Sequence, residues 1–467
     1  MEDAWNLMKL PASISERFGE AAALVESTAG AIRIISHYDG DGISSAGILT
    51  RALYRSGKKF KATMVSVLED EDIENIDGDF ELLIVSDMGS SQADRFSRML
   101  IERGARGIIL DHHLADGRDR PFSLHDGGAI HEINPRFLGI NGTTGCSGST
   151  LAFLLALSMD PVNEDLCIFS LAGSLADRQH VPMFSELNLG VRELAVARGY
   201  LTSRRGMPFS GRNLLEALVT SNDPFIKGLS GNEKESRELL ELLGMEPERT
   251  LDSLKDDELK VLHSYVYIRL LREGISPYIV HELFRENLFS ERYGNLLDLA
   301  YSIDTCGRNG EMGKGVRVVW GDPEAYKEAL NDRYEKKKII QELLQRTLKE
   351  GANEMDHILW LRVEEKNLAG TIAGLAHNYL FDHEKPVIAI SRDDGKINIS
   401  GRADRELCGR GLNLAVIMKE AGSACGGGGG GHDVAAGGHI REDQLEKFLE
   451  ICNKMVGEQL EGDSGGG

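Results

Sequence analysis

The sequence lacks any C-x-x-C pair: its six cysteines (146, 167, 306, 408, 425 and 452) lie scattered along the chain. That spacing argues against a zinc ribbon or a disulfide framework and suits reduced thiols. No apolar run reaches the ~18 residues of a membrane span, the stretch 151–157 being far too short. The N-terminus also lacks the basic start and apolar core of a signal peptide. A soluble, cytoplasmic protein is expected. Positive charge is the scarcer sign, with 53 Lys and Arg against 74 Asp and Glu and a formal net charge of -21. Diffuse attraction to nucleic acid is thereby excluded, so any polyanion must be met by a local basic patch, glycine backbone or a bound metal. The 467 residues leave room for about two to four domains of about 100–200 residues each.

What is present starts with Ile34-Ile35-Ser36-His37-Tyr38-Asp39-Gly40-Asp41-Gly42. A β-branched run stops at a His and two Asp set two apart. In an extended segment such side chains point the same way, so His37, Asp39 and Asp41 are expected to converge just past a strand. Like charges at that spacing call for a hard divalent cation between them. The pattern recurs: 81–86 runs into Asp87, and 107–110 into Asp111-His112-His113. Apolar strands ending in carboxylate or imidazole fit an open parallel sheet, whose ligands bind beyond the strands' carboxyl ends. The segment 170–176, better read as a helix, delivers Asp177. Singly, each position could be a loop histidine or a helix cap. Together, the six positions His37, Asp39, Asp41, Asp87, His112 and Asp177 point to mixed N/O ligation, which suits Mn²⁺ well and Mg²⁺ or Co²⁺ less specifically.

In chain order, a helix is expected over 1–30, then a helix over 44–56, a strand over 59–67 and a helix over 90–103. This alternation predicts a doubly wound α/β domain over 1–205. The small residues at 142–150 lead into a helix at 151–158 and read equally as an anion cradle or as a cap. Residues 206–320 read as a mainly helical insertion, with 257–272 amphipathic at helical spacing. Asp322-Pro323 opens a long helix that Gly351 stops, a rigid bridge over 321–351. The lysines at 336–338 read first as a solvated face and second as a phosphate clamp. A second α/β unit spans 352–460, with strands at 358–363, 386–391 and 396–400 and helices at 369–380 and 441–460. Ser400-Gly401-Arg402 follows its last strand; six glycines (426–431) and His432 come after Cys425. The tail at 461–467 is expected to be disordered.

These ordered motifs resemble those of the DHH phosphoesterase family. Ser-His-x-Asp-x-Asp-Gly at 36–42, the strand-end Asp87, Asp111-His112-His113 and Asp177 are similar to its N-terminal motifs. Ser400-x-Arg402 and Gly430-Gly431-His432-x-x-Ala435-Ala436-Gly437 are similar to its associated substrate-binding domain. The length and the insertion look most like the archaeal RecJ-like exonucleases, which are similar to the nuclease associated with the GINS replication complex. Gly307-Arg308 and Gly313-Lys314-Gly315 add modestly to that likeness.

The resemblance implies two divalent ions. His37, Asp39 and Asp87 would hold one; Asp41, Asp87, His112 and Asp177 would hold the other, with Asp87 bridging. Asp111 would orient the histidine beside it, and His113 would contact the scissile phosphate. In the C-terminal domain Ser400, Arg402, Gly430, Gly431 and His432 would bind substrate, Arg402 as a fork on a phosphate. The implied activity is 5′-to-3′ exonuclease action on single-stranded DNA in replication or repair, with GINS or another replisome protein as a partner of the insertion. The alternatives are a nano-RNase or 3′-phosphoadenosine-phosphate phosphatase acting on very short substrates, and a non-catalytic replication scaffold.

Overall fold

The β-branched run near residue 34 becomes a strand because helices cover both of its faces and no alternation with polar residues is needed. The computed structural model describes residues 2–115, 118, 121–124, 128–393 and 395–461; residues 462–467 of the expected tail lie outside them. The chain divides into two compact units, Met1–Ser210 with Phe284–Tyr334, and Gly211–Leu283 with Glu335–Gly467.

The first unit opens with α1 (Glu2–Met8) and α2 (Ala12–Ser27), two helices where one was expected over 1–30. Pro11 separates them, since the residue before a proline is pushed out of helical geometry. Then follow β1 (Ile32–His37), α3 (Gly40–Arg55), β2 (Phe60–Val65), α4 (Asp70–Glu74), β3 (Leu82–Ser86), α5 (Ala93–Arg103), β4 (Arg106–Leu110) and β5 (Ile130–Ile133). Helices α6 (Gly148–Met159), α7 (Cys167–Ala176) and α8 (Glu186–Ala197) lead to strand β6 (Thr202–Gly206). The sheet is wholly parallel in the order β2-β1-β3-β4-β5. Its order reverses direction between β1 and β3, where such sheets bind ligands. Ile32, Ile34, Leu82, Ile84 and Ile108 pack with α2, α3, α6 and α7. Ile35, Leu83, Val85 and Ile109 pack on the opposite face with Ile73 of α4 and with Phe96 and Leu100 of α5. Helix α6 is buried on all sides, and Leu151, Phe153, Leu154, Leu155 and Leu157 are each at most 1% exposed. At about 1.5–3 kcal/mol per side chain, these five contribute on the order of 10 kcal/mol. That is enough to hold a buried charge, costing several kcal/mol, at the helix's end.

The stretch 206–320 is split between the units. Helices α9 (Leu214–Val219), α10 (Glu233–Leu242), α11 (Asp256–Arg272) and α12 (Pro277–Glu282) belong to the second. Strands β7 (Arg285–Ser290) and β8 (Gly294–Asn295) join β6 in a three-stranded antiparallel sheet of the first unit. Helices α13 (Leu296–Arg308) and α14 (Met312–Val319) also return there. The reason is packing: Leu296, Leu299, Ala300, Ile303 and Cys306 of α13 are fully buried in the first unit's core. Gly47 of α3 lets Val319 approach, since a Cβ there would come within 2.5 Å of it.

Helix α15 (Pro323–Glu350) has 28 residues, about 42 Å at 1.5 Å per residue. Asp322 caps it, accepting N–H bonds from Glu324 and Ala325 at 3.0 and 3.1 Å. Its residues up to Tyr334 count with the first unit and those from Glu335 with the second, which continues with β9 (Asn353–Glu354), β10 (Leu359–Arg362), α16 (Ala369–Tyr379), β11 (Val387–Asp393), β12 (Lys396–Arg402) and α17 (Arg405–Gly409). It finishes with α18 (Leu414–Ala424), β13 (Gly428–Gly431), β14 (Ala435–Arg441) and α19 (Leu445–Glu461). The six-stranded sheet runs β13-β14-β12-β11-β10-β9, with only β10 and β11 parallel. The expected α/β class, with a parallel-sheet N-terminal domain and a second sheet domain, is what the chain forms. Four of the six glycines lie in edge strand β13 rather than in a loop.

Candidate metal centre and a glycine-backed sheet face

Strand β1 ends at His37 because the next residues turn at once into α3. Asp39 caps that helix, its Oδ1 accepting the Gly42 N–H at 3.1 Å. Only glycine fits at 42, where a Cβ would lie 2.2 Å from the His37 carbonyl. The helix therefore starts at Gly40, four residues earlier than expected, and Asp41 sits in its first turn. The extended-chain spacing holds for His37 and Asp39, whose Nδ1 and Oδ2 lie 3.0 Å apart. Asp41 is turned by the helix to a different cluster.

Asp87 follows β3 with a left-handed backbone, φ 59°. Its Oδ1 lies 3.0 Å from His112 Nε2 and its Oδ2 lies 3.6 Å from His37 Nδ1. Each carboxylate oxygen thus serves one imidazole. Two clusters result: His37, Asp39 and Asp87 on one side, Asp41, His112 and Asp177 on the other, each with ligand atoms within 4.8 Å of one another. His112 Nε2 stands 3.8 Å from Asp41 and 3.9 Å from Asp177. All six residues singled out as ligands meet in this one region.

Backbone and amide groups around the clusters are spent on orienting them. Gly148 and Ser149, at the start of α6, donate N–H bonds to Asp41 Oδ2 and Oδ1 at 2.6 and 3.0 Å. The glycine-rich stretch 142–150 thus both cradles an anion, the protein's own Asp41, and is capped, by Ser147 on Thr150 at 3.2 Å. His112 Nδ1 donates to the Gly142 carbonyl at 2.6 Å, which aims Nε2 at Asp87, where its lone pair would face a bound cation. Gln179, absent from the sequence reading, donates to Asp177 Oδ2 at 2.7 Å and to Gly142 O at 3.1 Å. Asn188 donates in turn to Gln179 Oε1 at 2.8 Å. The Asp111 carboxylate turns to Ser90 and His113, not to the His112 ring. It accepts the Ser90 N–H at 2.8 Å and His113 Nδ1 at 2.8 Å, so the histidine it orients is His113. Asp304 of α13 accepts the Gly40 N–H at 3.3 Å and holds Arg308 at 2.7 Å.

The electrostatics fit a cation. Burial, then repulsion from Asp87 and Asp177, pushes the Asp41 carboxyl well above the usual range. Burial likewise raises Asp177, to about 6, with Asp87 adding to it against the pull of His112. Burial alone would lower His37, yet hydrogen bonds to Asp39 and Asp87 carry it up to about 10. Four carboxylates that crowd one another, with two imidazoles among them, form a donor set suited to divalent ions.

In the second unit, β12 alternates, with Ile397 and Ile399 buried towards α18 and Asn398, Ser400 and Arg402 half-buried on the other side. Register places Ser400 opposite Gly437 and Gly437 opposite Gly430, so a serine and two glycines form one row. A Cβ on Gly430 would meet nothing within 4 Å, so that backbone is bare. Gly431 shares the row of Ala436 and Gly401, out of phase with Ser400 and on the opposite face from Gly430. Arg402 lies against α16, where a Cβ on Gly370 would come 2.6 Å from its Nη2. His432 is exposed at the hairpin, its N–H donating to Ala435 O at 2.8 Å.

A parallel α/β domain with His/Asp clusters beyond its strand ends, followed by a separate sheet domain, defines a class of proteins built to hold divalent ions. The chain matches the DHH family, N-terminal domain, over residues 31–174 and the DHHA1 domain over 356–458. It is 30% identical over 438 residues to an uncharacterized protein of Methanocaldococcus jannaschii, covering 92% of this chain and 94% of that one. The chain belongs to the DHH family. Its fold is similar to that of RecJ from Thermus thermophilus in complex with Mn²⁺ (TM-score 0.57, 18% identity, 95% of this chain). It spans about half the length of that RecJ, covering 55% of it. It is also similar to CDC45 from Entamoeba histolytica, with TM-score 0.60 and 14% identity over 95% of this chain and 99% of that one. This is a DHH-family phosphoesterase with a RecJ-like fold. Among the described residues no helix is long and apolar enough to cross a membrane.

Proposed function

We propose that the chain is a metal-dependent exonuclease that hydrolyses phosphodiester bonds at an end of single-stranded DNA, by resemblance the 5′ end. The observation that carries this reading is the position of Asp87, one oxygen towards each of two His/Asp clusters. Two divalent ions in those clusters, Mn²⁺ by the mixed N/O donors, would activate a water and hold the attacking and leaving oxygens of an in-line displacement. His113 then has a definite task. The Asp111 hydrogen bond, larger than the opposing burial, raises its pKa, and its Nδ1 is fixed by that bond. Nε2 is the nitrogen left to donate to a phosphate oxygen or to protonate the leaving group. Arg308, whose charge feels Asp39 and Tyr38, is a second donor beside the His37 cluster. In the other unit Arg402 and Ser400 would bind a phosphate, with the bare backbone of Gly430 admitting a sugar or base closely.

The fold similarity to both RecJ and CDC45 does not separate an enzyme from a scaffold. The converging His and Asp side chains favour the enzyme, since a scaffold has no use for six metal-binding groups. The six free cysteines support a reducing, cytoplasmic setting. A GINS-type replisome partner is proposed for the helices of 211–283, where Leu242 is 79% exposed. Pull-down of GINS by the full chain, lost in Leu242→Glu, is the expected result.

The activity test is digestion of strands labelled at either end, over a length series, with Mn²⁺, Mg²⁺ or Co²⁺. Mononucleotides released from the 5′ end of long single strands are expected. Release only from the 3′ end refutes the polarity, and activity confined to dimers to pentamers moves the chain to the short-oligonucleotide enzymes. No hydrolysis with any of these ions overturns the reading.

A further inference from the structure

We propose that the second unit holds its own divalent transition-metal ion, Zn²⁺ by its chemistry, between His377, His383 and Asp404. The three come from separate segments: the last turn of α16, the loop after it, and the residue that caps α17. Their ligand atoms lie within 4.8 Å of one another. His377 is fully buried. Its Nδ1 lies 3.4 Å from the Asn378 side-chain oxygen, while its Nε2 is buried without a hydrogen-bond partner, as are both ring nitrogens of His383.

The plain alternative is an aromatic pair, and the two rings do meet edge-on with centroids 5.4 Å apart. That reading leaves three buried polar atoms unsatisfied, which is costly in a dry interior, and gives Asp404 no part. A bound anion is disfavoured by the acidic groups that face His383, namely Asp404, Asp382 and Glu406. Both rings are held neutral, chiefly by burial, so their lone pairs are available as ligands. Two imidazoles and one carboxylate with a remaining position for water is a ligand set that zinc takes in tetrahedral geometry, whereas Mg²⁺ and Ca²⁺ want oxygen. One oxygen of Asp404 accepts the Leu407 N–H at 2.9 Å, which leaves the other to face the ion.

The consequence is positional. Asp404 stands two residues after Arg402, and α16 carries Gly370 and Gly374, against which Arg402 lies. An ion here ties the end of β12 to α16 and so fixes the strand that presents Arg402.

The test uses the full chain in an Asp87→Asn background, which weakens the first unit's clusters. The protein is loaded with Zn²⁺, gel-filtered and measured by ICP-MS, with thermal melts alongside. The parent is expected to retain about one zinc and to melt higher with Zn²⁺ than after EDTA. His383→Ala should lose that zinc and the shift. Asp404→Asn, which keeps the cap on Leu407, should weaken zinc binding by more than about a hundredfold, beyond what partners of metal ligands cost, and decides the matter if His383→Ala does not fold. Zinc content equal in parent and Asp404→Asn, or no zinc in the parent, overturns the proposal.

Discussion

In the first unit, side chains from four places reach one region, and the backbone nearby is used up in holding them: Gly148 and Ser149 on Asp41, Gly142 on His112, Gly42 on Asp39. In the second unit the roles are exchanged. Side chains step back from the row Ser400, Gly437, Gly430, and the glycine backbone is itself the surface. The same residue type therefore does opposite things. A glycine near Asp87 makes room for a neighbouring side chain of the protein; Gly430 leaves room for something that is not the protein.

Substitutions that affect one region and spare the other test this contrast. The largest effect is expected from Asp87→Asn, which keeps the shape and tolerates the left-handed backbone but removes the charge shared by both clusters. Partners of metal ligands typically cost 10–100-fold, so loss of the shared ligand should exceed about a hundredfold in hydrolysis, with the melting temperature little changed. Full activity in this variant would place the site elsewhere. Next is Gly148→Ala, whose Cβ would lie 2.6 Å from Asp87 Cβ and 2.8 Å from its Oδ1. Displacing that carboxylate should weaken Mn²⁺ binding, read by calorimetry, about 10–100-fold.

The second unit is probed by a pair of neighbours. A Cβ on Gly429 would come 2.4 Å from the Met418 carbonyl, whereas one on Gly430 would meet nothing. Gly429→Ala should therefore lower the melting temperature, and Gly430→Ala should leave it unchanged while raising KM for single strands. Equal behaviour of the two would break the distinction between packed and bare glycines. The smallest effect concerns His263 on α11, which burial holds down to about 4. The unfolded chain takes up this proton first, near the ordinary 6.5, so the stability it contributes is full above pH 6.5 and falls as pH drops to 4. At most about 3 kcal/mol is at stake, in the second unit alone. Melts of His263→Gln should show a shallower acid slope there.

Much of the first region could be read from sequence because apolar strands ending in His or Asp leave a pattern along the chain. The reason offered for Asp41 was nonetheless incorrect: Asp39 starts a helix, and helical rotation, not strand alternation, delivers Asp41. Gln179 and Asn188 were missed since amides carry no charge signal and Gly142, to which Gln179 donates, lies 37 residues away. Asp304 was missed because Gly40, which it meets, is 264 residues distant. No strand was expected over the glycine run because glycine is a poor strand former; the close packing of α18 on β13, where a Cβ on Gly429 would come 2.4 Å from the Met418 carbonyl, explains why strand and glycine coincide. His377, His383 and Asp404 have no motif spacing at all.

The central claim is that Asp87 joins two cation sites, and the most direct measurement is anomalous diffraction at the manganese edge from crystals grown with Mn²⁺. Two peaks are expected, one among His37, Asp39 and Asp87 and one among Asp41, His112 and Asp177. Manganese bound elsewhere, with neither cluster occupied, would contradict it.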